Sequence, residues 1–141
     1  MIKLICIGKI KEKYLKDAIL EYKKRLSKYT KLDIIELPDI NYPEIDKVKK
    51  EEGKLILKHL KTNDNIIVLD INGQELTSIE LTNKLCKLEE INSNITFIIG
   101  GSYGLSDEVK KRASYSLSFS KLTFPHQLFR VILLEQIYRT Y

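Results

Sequence analysis

The segment NITFIIGGSYGLSDEV, residues 94–109, passes from a short apolar run into three glycines within five residues and then into Ser-Asp-Glu. The apolar run ITFIIG, 95–100, reads as a strand buried on both faces. Ser106 is a good helix cap, and Asp107 and Glu108 suit the positive end of a helix dipole, so a short helix is expected from Ser106. Strand, glycine turn and helix in succession are the unit of a parallel α/β sheet. The glycines have two readings, a plain turn or a backbone that something must approach closely. The two acids disfavour an anion at that helix terminus, which counts against a phosphate. The dinucleotide fingerprint and the phosphate-binding loop are also absent, since the spacing is G-G-x-x-G and no lysine follows Gly104.

The same alternation extends toward both termini. IKLICI (2–7), LDIIEL (32–37), NIIVLD (65–70) and YSLSFS (115–120) read as further strands. Between them, residues 11–29 place Leu15, Ala18, Ile19, Tyr22 and Leu26 on one helical stripe. Residues 43–60 form a second helical pattern with a less regular apolar set, Ile45, Val48, Leu55, Ile56 and Leu60, and ELTNKLCKLEE (80–90) forms the core of a third. At 141 residues, with no repeat, linker or low-complexity tract, the chain is expected to be a single α/β domain, 1–141, with a mostly parallel sheet covered on both faces. In such sheets ligands bind beyond the carboxyl ends of the strands, where Gly100, Gly101 and Gly104 sit.

Net charge is +5, but its distribution is uneven: residues 1–31 carry +7, residues 32–108 carry −7 and residues 109–141 carry +5. Two basic ends suit a polyanion if the fold brings them to one face; a solvated lysine-rich helix surface explains them equally well. Lys9, Lys11, Lys13, Lys23, Lys24 and Arg25 are the candidates for phosphate contact. No apolar run approaches the ~20 residues of a membrane span, and the N-terminus turns basic too early for a signal peptide, so no membrane partner and a cytoplasmic location are expected. Cys6 and Cys86 are expected to be reduced core thiols. Neither His59 nor His126 has a partner at ligand spacing, so no metal is expected.

The last helix is expected to open with Pro125 at its first position. Leu128, Phe129, Val131 to Leu134, Ile137, Tyr138 and Tyr141 leave it no polar stripe. A helix apolar all round is buried on more than one side. A second copy of the chain in a two-fold homodimer is the simplest cover for the side its own sheet does not reach.

FIIGGSYGL (97–105), followed by SLSFSKLTFPHQLFRVILLEQIYR (116–139), closely resembles the SPOUT methyltransferases, and among them the ribosomal RNA large subunit methyltransferase H family, which methylates N3 of a pseudouridine. IKLICIGKIKEKYLKDAILEYKKRL (2–26) and IIVLDING (66–73) look like the same family, so the resemblance runs nearly end to end. It implies a C-terminal trefoil knot, S-adenosylmethionine bound in that knot, a homodimer with the active site at the subunit interface, and the ribosome as substrate. Matching positions imply cofactor contacts at Leu69, Gly100, Phe119, Ser120, Lys121, Leu122, Thr123 and Phe124. Within the last helix, Arg130 has two readings, holding a developing uracil anion or ion pairing in a dimer, and His126 has two, accepting a proton or packing at the helix entry. The family carries a short tail containing Tyr-His past the last helix, thought to reach the active site, whereas this sequence stops at Tyr141. A non-catalytic RNA- or ribosome-binding protein with a vestigial cofactor pocket is the alternative from another class.

Overall fold

Each apolar run becomes a strand, and the computed structural model describes all residues, 1–141. Strands and helices alternate as β1 (Ile2–Ile7), α1 (Lys13–Leu26), β2 (Leu32–Leu37), α2 (Ile45–Leu57), β3 (Asn65–Glu75), α3 (Ser78–Ile91), β4 (Ile95–Ile99), α4 (Asp107–Arg112), β5 (Tyr115–Ser118) and α5 (His126–Arg139). The five strands form one sheet in the order β2-β1-β4-β3-β5, and every pair is parallel. Because side chains alternate across a strand, each run feeds two cores. Leu4, Cys6, Ile67, Phe97 and Ile99 face the layer that holds Leu85 of α3 and Leu133 of α5. Ile5, Val68 and Ile98 face Ile56 of α2 and Val109 of α4. Phe97 and Ile98 are fully buried on opposite faces, and burying a side chain of that size contributes about 1.5–3 kcal/mol. No helix is long and apolar enough to cross a membrane.

Three expectations are corrected by the packing. NIIVLD was expected to end its strand at Asp70, but β3 resumes after a bulge and continues to Glu75. Leu69 and Gln74 both pair with Leu117 of β5, so residues 70–73 are looped out toward the carboxyl end of the sheet. A Cβ on Gly73 would lie 2.8 Å from the Ser116 carbonyl group, so the bulge lies directly against the β5 backbone there. Pro125 is the cap residue of α5 rather than its first helical position. Cys86 is exposed; only Cys6 is a core thiol, pushed up to about 12 by burial.

The irregular apolar pattern of α2 also has a cause. The face it buries is Val48, Glu52, Gly53 and Ile56, a regular helical stripe in which two of the four positions are not apolar. Gly53 is there because Ser106, the cap of α4, packs directly against its Cα. The last helix packs mainly on α1 and touches α3, burying Arg130, Leu133, Leu134 and Ile137. Its other side leaves Leu128 40% exposed and Val131 and Ile132 half-buried.

Candidate functional site

The carboxyl ends of β3, β4 and β5 open into one hollow of about 400 Å³, within the usual range for small-molecule sites. Leu69 and the bulge residues Asp70 to Asn72 form one wall. The turn from Gly100 to Leu105 forms a second, and the segment after β5 forms a third. Of the residues expected to hold a cofactor, Leu69, Gly100, Phe119, Ser120, Leu122, Thr123 and Phe124 all line this hollow. Lys121 does not; its side chain is exposed on the far side of the same loop.

That loop is braced by its own polar groups. The Ser118 hydroxyl donates to the Ser120 carbonyl at 3.1 Å, and the Leu122 N–H donates to the Ser120 hydroxyl at 3.0 Å. Phe119 and Phe124 both pack on Phe129, with ring centroids 5.0 Å and 5.8 Å apart, which ties the loop to α5. Leu122 is 73% exposed and Tyr103 51% exposed at the rim. Large apolar side chains left open around a concave site are surface that a bound apolar or aromatic group would cover.

The glycines answer to different demands. A Cβ on Gly100 would lie 2.8 Å from Leu105 Cδ2 and 3.1 Å from the Gly104 carbonyl carbon, so the turn folds tightly back on itself. A Cβ on Gly101 would lie 2.8 Å from Glu52 Oε1. Gly104 has open space around it but sits at φ +86°, where side chains are strained. The chain itself, before any ligand, therefore requires all three.

Glu52 is the buried carboxylate beneath this turn. It is 4% exposed, its Oε2 lies 3.5 Å from the Ile40 N–H, and its Oε1 has no partner. Burial raises its pKa above the usual 4.5, a hydrogen bond from Ile40 opposes the rise, and Asp39 adds to it. A carboxyl raised in the folded state favours folding while protonated, and that contribution is lost as pH climbs through the folded value. Glu52→Gln removes the titration, so its melting temperature relative to wild type is expected to become more positive between about pH 4 and about pH 7. A difference that stays level across that interval contradicts a buried, strained charge.

Arg130 does not line the hollow, and it is 1% exposed inside the chain. Its Nη1 donates to Glu36 Oε2 at 2.9 Å, and its Nη2 donates to the carbonyls of Ile7 at 2.9 Å and Gly8 at 2.7 Å. Both terminal nitrogens of the guanidinium are spent within the chain, and its Nε is buried without a partner. Arg130 instead fastens α5 to the carboxyl ends of β1 and β2. His126, one turn earlier, does line the hollow and is half-buried. Burial lowers its pKa below 6.5, the charge of Arg130 lowers it further, and Asp39 opposes both. The imidazole is therefore neutral near pH 7.

Two charged lining residues had not been expected. Asp70 sits in the β3 bulge, just past the stretch of β3 that pairs with β4, and Lys110 reaches the hollow from α4. Lys110 Nζ lies 3.3 Å from Asp70 Oδ2. The six basic candidates, Lys9, Lys11, Lys13, Lys23, Lys24 and Arg25, are all exposed. The Lys11 N–H donates to Gln127 Oε1 at 3.0 Å, which places the first of these groups next to the start of α5 and so near the mouth. Arg25 is already engaged, with Nε 3.2 Å from Glu21 and its guanidinium over the rings of Tyr22 and Tyr138. No group of His, Cys, Asp and Glu is arranged to hold a metal.

Residues 1–141 match the family described as "Predicted SPOUT methyltransferase". The chain is 56% identical over 147 aligned residues to ribosomal RNA large subunit methyltransferase H 1 of Clostridium perfringens strain SM101, covering 99% of this chain and 92% of that protein. It is 55% identical over 148 aligned residues to ribosomal RNA large subunit methyltransferase H of Clostridium botulinum strain 657, with the same coverage of 99% and 92%.

Proposed function

Because the chain belongs to the SPOUT methyltransferase family, we propose that it transfers a methyl group from S-adenosylmethionine to N3 of a pseudouridine in large-subunit ribosomal RNA, on the assembled ribosome. Residues 1–141 form a single methyltransferase domain in this reading. The observation that carries it is the convergence of Leu69, Gly100 and the 119–124 loop on one hollow at the carboxyl edge of the sheet. Apolar walls, aromatic surface and closely spaced backbone polar groups fit a nucleoside, whose base needs stacking area and a few fixed hydrogen bonds. In this reading the C-terminal edge of the sheet is threaded as a trefoil knot.

When bound, S-adenosylmethionine supplies a methyl group already activated by its sulfonium. The residues of this chain then align the acceptor nitrogen and help to remove its proton. Leu69, Leu122 and Phe119 hold the nucleoside end, and the self-braced loop after β5 fixes their positions. His126, kept neutral by burial and by Arg130, is the group at the hollow able to accept the N3 proton through an imidazole nitrogen. A second copy of the chain covers the half-exposed apolar side of α5 and completes the site as a homodimer, working in the cytoplasm where ribosomes are.

Lys9, Lys11 and Lys13 take phosphates of the RNA beside the mouth, with Lys23, Lys24 and Arg25 further along α1. Exchanging Lys9, Lys11 and Lys13 for Gln is expected to reduce the slope of log affinity for ribosomes against log salt by about two units, since each phosphate contact contributes about 0.7–0.9. An unchanged slope assigns them to solvent. The function itself is tested by offering labelled S-adenosylmethionine and ribosomes that lack the modification. One methyl group on N3 of a pseudouridine is expected, and saturable cofactor binding without transfer would favour the non-catalytic RNA-binding alternative.

A further inference from the structure

The hollow is lined by one carboxylate and one ammonium, Asp70 and Lys110, which come from different elements and form an ion pair at its wall. We infer that this pair is a clamp for the α-amino acid end of the cofactor, Asp70 taking its ammonium and Lys110 its carboxylate. The inference rests on the cofactor proposed above and assigns residues to the part of it that apolar walls do not hold.

The geometry supports exchange of partners. Asp70 Oδ1 accepts the Asn72 N–H at 3.1 Å and Oδ2 faces Lys110 at 3.3 Å. A carboxylate accepts about four hydrogen bonds and an ammonium donates three, so both groups have capacity left. The Asp70 side chain is 17% exposed and that of Lys110 is 36% exposed, so each keeps an open side. The Asn72 contact and the β3 bulge hold the Asp70 carboxylate in place, whereas Lys110 reaches it on a flexible stem. An incoming ammonium and carboxylate on one carbon match this pair charge for charge. Their insertion replaces a single ion pair by two charge-assisted contacts in a partly enclosed site. His126, also at the hollow, is held neutral and does not compete for either charge.

A plain structural role, in which the ion pair only pins the bulge to α4, makes a different prediction, and two ligands separate the roles. S-adenosylhomocysteine carries the amino-acid end; 5′-methylthioadenosine has the same nucleoside and a neutral sulfur but lacks that end. By titration calorimetry on the full chain, Asp70→Asn and Lys110→Met are each expected to weaken S-adenosylhomocysteine by about tenfold or more while leaving 5′-methylthioadenosine within about twofold. Lys110→Arg is expected to restore most of the loss. The second ligand also reports that the hollow is still formed in each variant. Equal weakening of both ligands, or of neither, overturns the clamp while leaving the cofactor reading standing. Failure of wild type to bind either ligand overturns the cofactor reading and the clamp with it.

Discussion

Replacing Arg130 with alanine is expected to destabilise the fold by about 3 kcal/mol, near the lower end of what breaking a buried ion pair costs. The estimate sits low because the Glu36 side chain is 35% exposed and water can partly solvate it once the guanidinium is gone. The carbonyls of Ile7 and Gly8 lose their donors in the same step, and the Ile10 N–H that also uses Glu36 Oε2 loses a fixed partner. In urea this corresponds to a midpoint lowered by more than about 1 M for a chain of this size. Arg130→Lys does not rescue it, because a point-charge ammonium cannot span the carboxylate and two carbonyls at once. A variant that unfolds at the wild-type midpoint yet loses turnover would return Arg130 to the chemistry and overturn its role as a fastener.

Gly100→Val is the second large effect, and it is expected to act on the ligand more than on the fold. The new side chain meets Leu105 and the Gly104 backbone, atoms of the very turn that forms one wall of the hollow. Overpacking of this kind typically costs about 1–3 kcal/mol. The remedy open to the protein is to push the 100–105 turn outward, and this displaces the wall against which the nucleoside rests. Saturable binding of S-adenosylmethionine is expected to disappear, while the α5 contacts, on the other face of β4, keep the oligomeric state of the wild type. Gly104→Ala is the control. Its Cβ meets nothing, and the cost is backbone strain at φ +86°, about 1–2 kcal/mol, with the hollow retained. Unaltered cofactor affinity in the valine variant would mean that the turn does not contact the ligand.

The contrast between these two residues shows how far the sequence could be read. Alternating apolar runs and helical stripes were enough for five strands, five helices and a parallel sheet, because burial on both faces leaves its own pattern in ITFIIG and NIIVLD. Gly100 was legible from its place after a buried strand, whereas the loop 119–124 became legible only through family resemblance, since no local propensity announces that two distant loops will meet. Arg130 kept two readings in the sequence because its partners, Glu36 and two carbonyls, lie far away along the chain and leave no local pattern. The β3 bulge was missed because Asn72-Gly73 reads as an end to the strand; pairing resumes beyond it, and the bulge carries Asp70 and Asn72 into the hollow. Lys110 gave no signal of its own, being one of three consecutive basic residues in the last turn of α4.

The most direct measurement is a titration of the isotopically labelled chain with S-adenosylmethionine, followed residue by residue through its amide resonances. The amides of Leu69, Gly100 and residues 119–124 are expected to move together along one saturation curve, with those of α2 nearly still. Shifts centred on another surface, or separate curves for the three segments, would show that they do not enclose a common ligand.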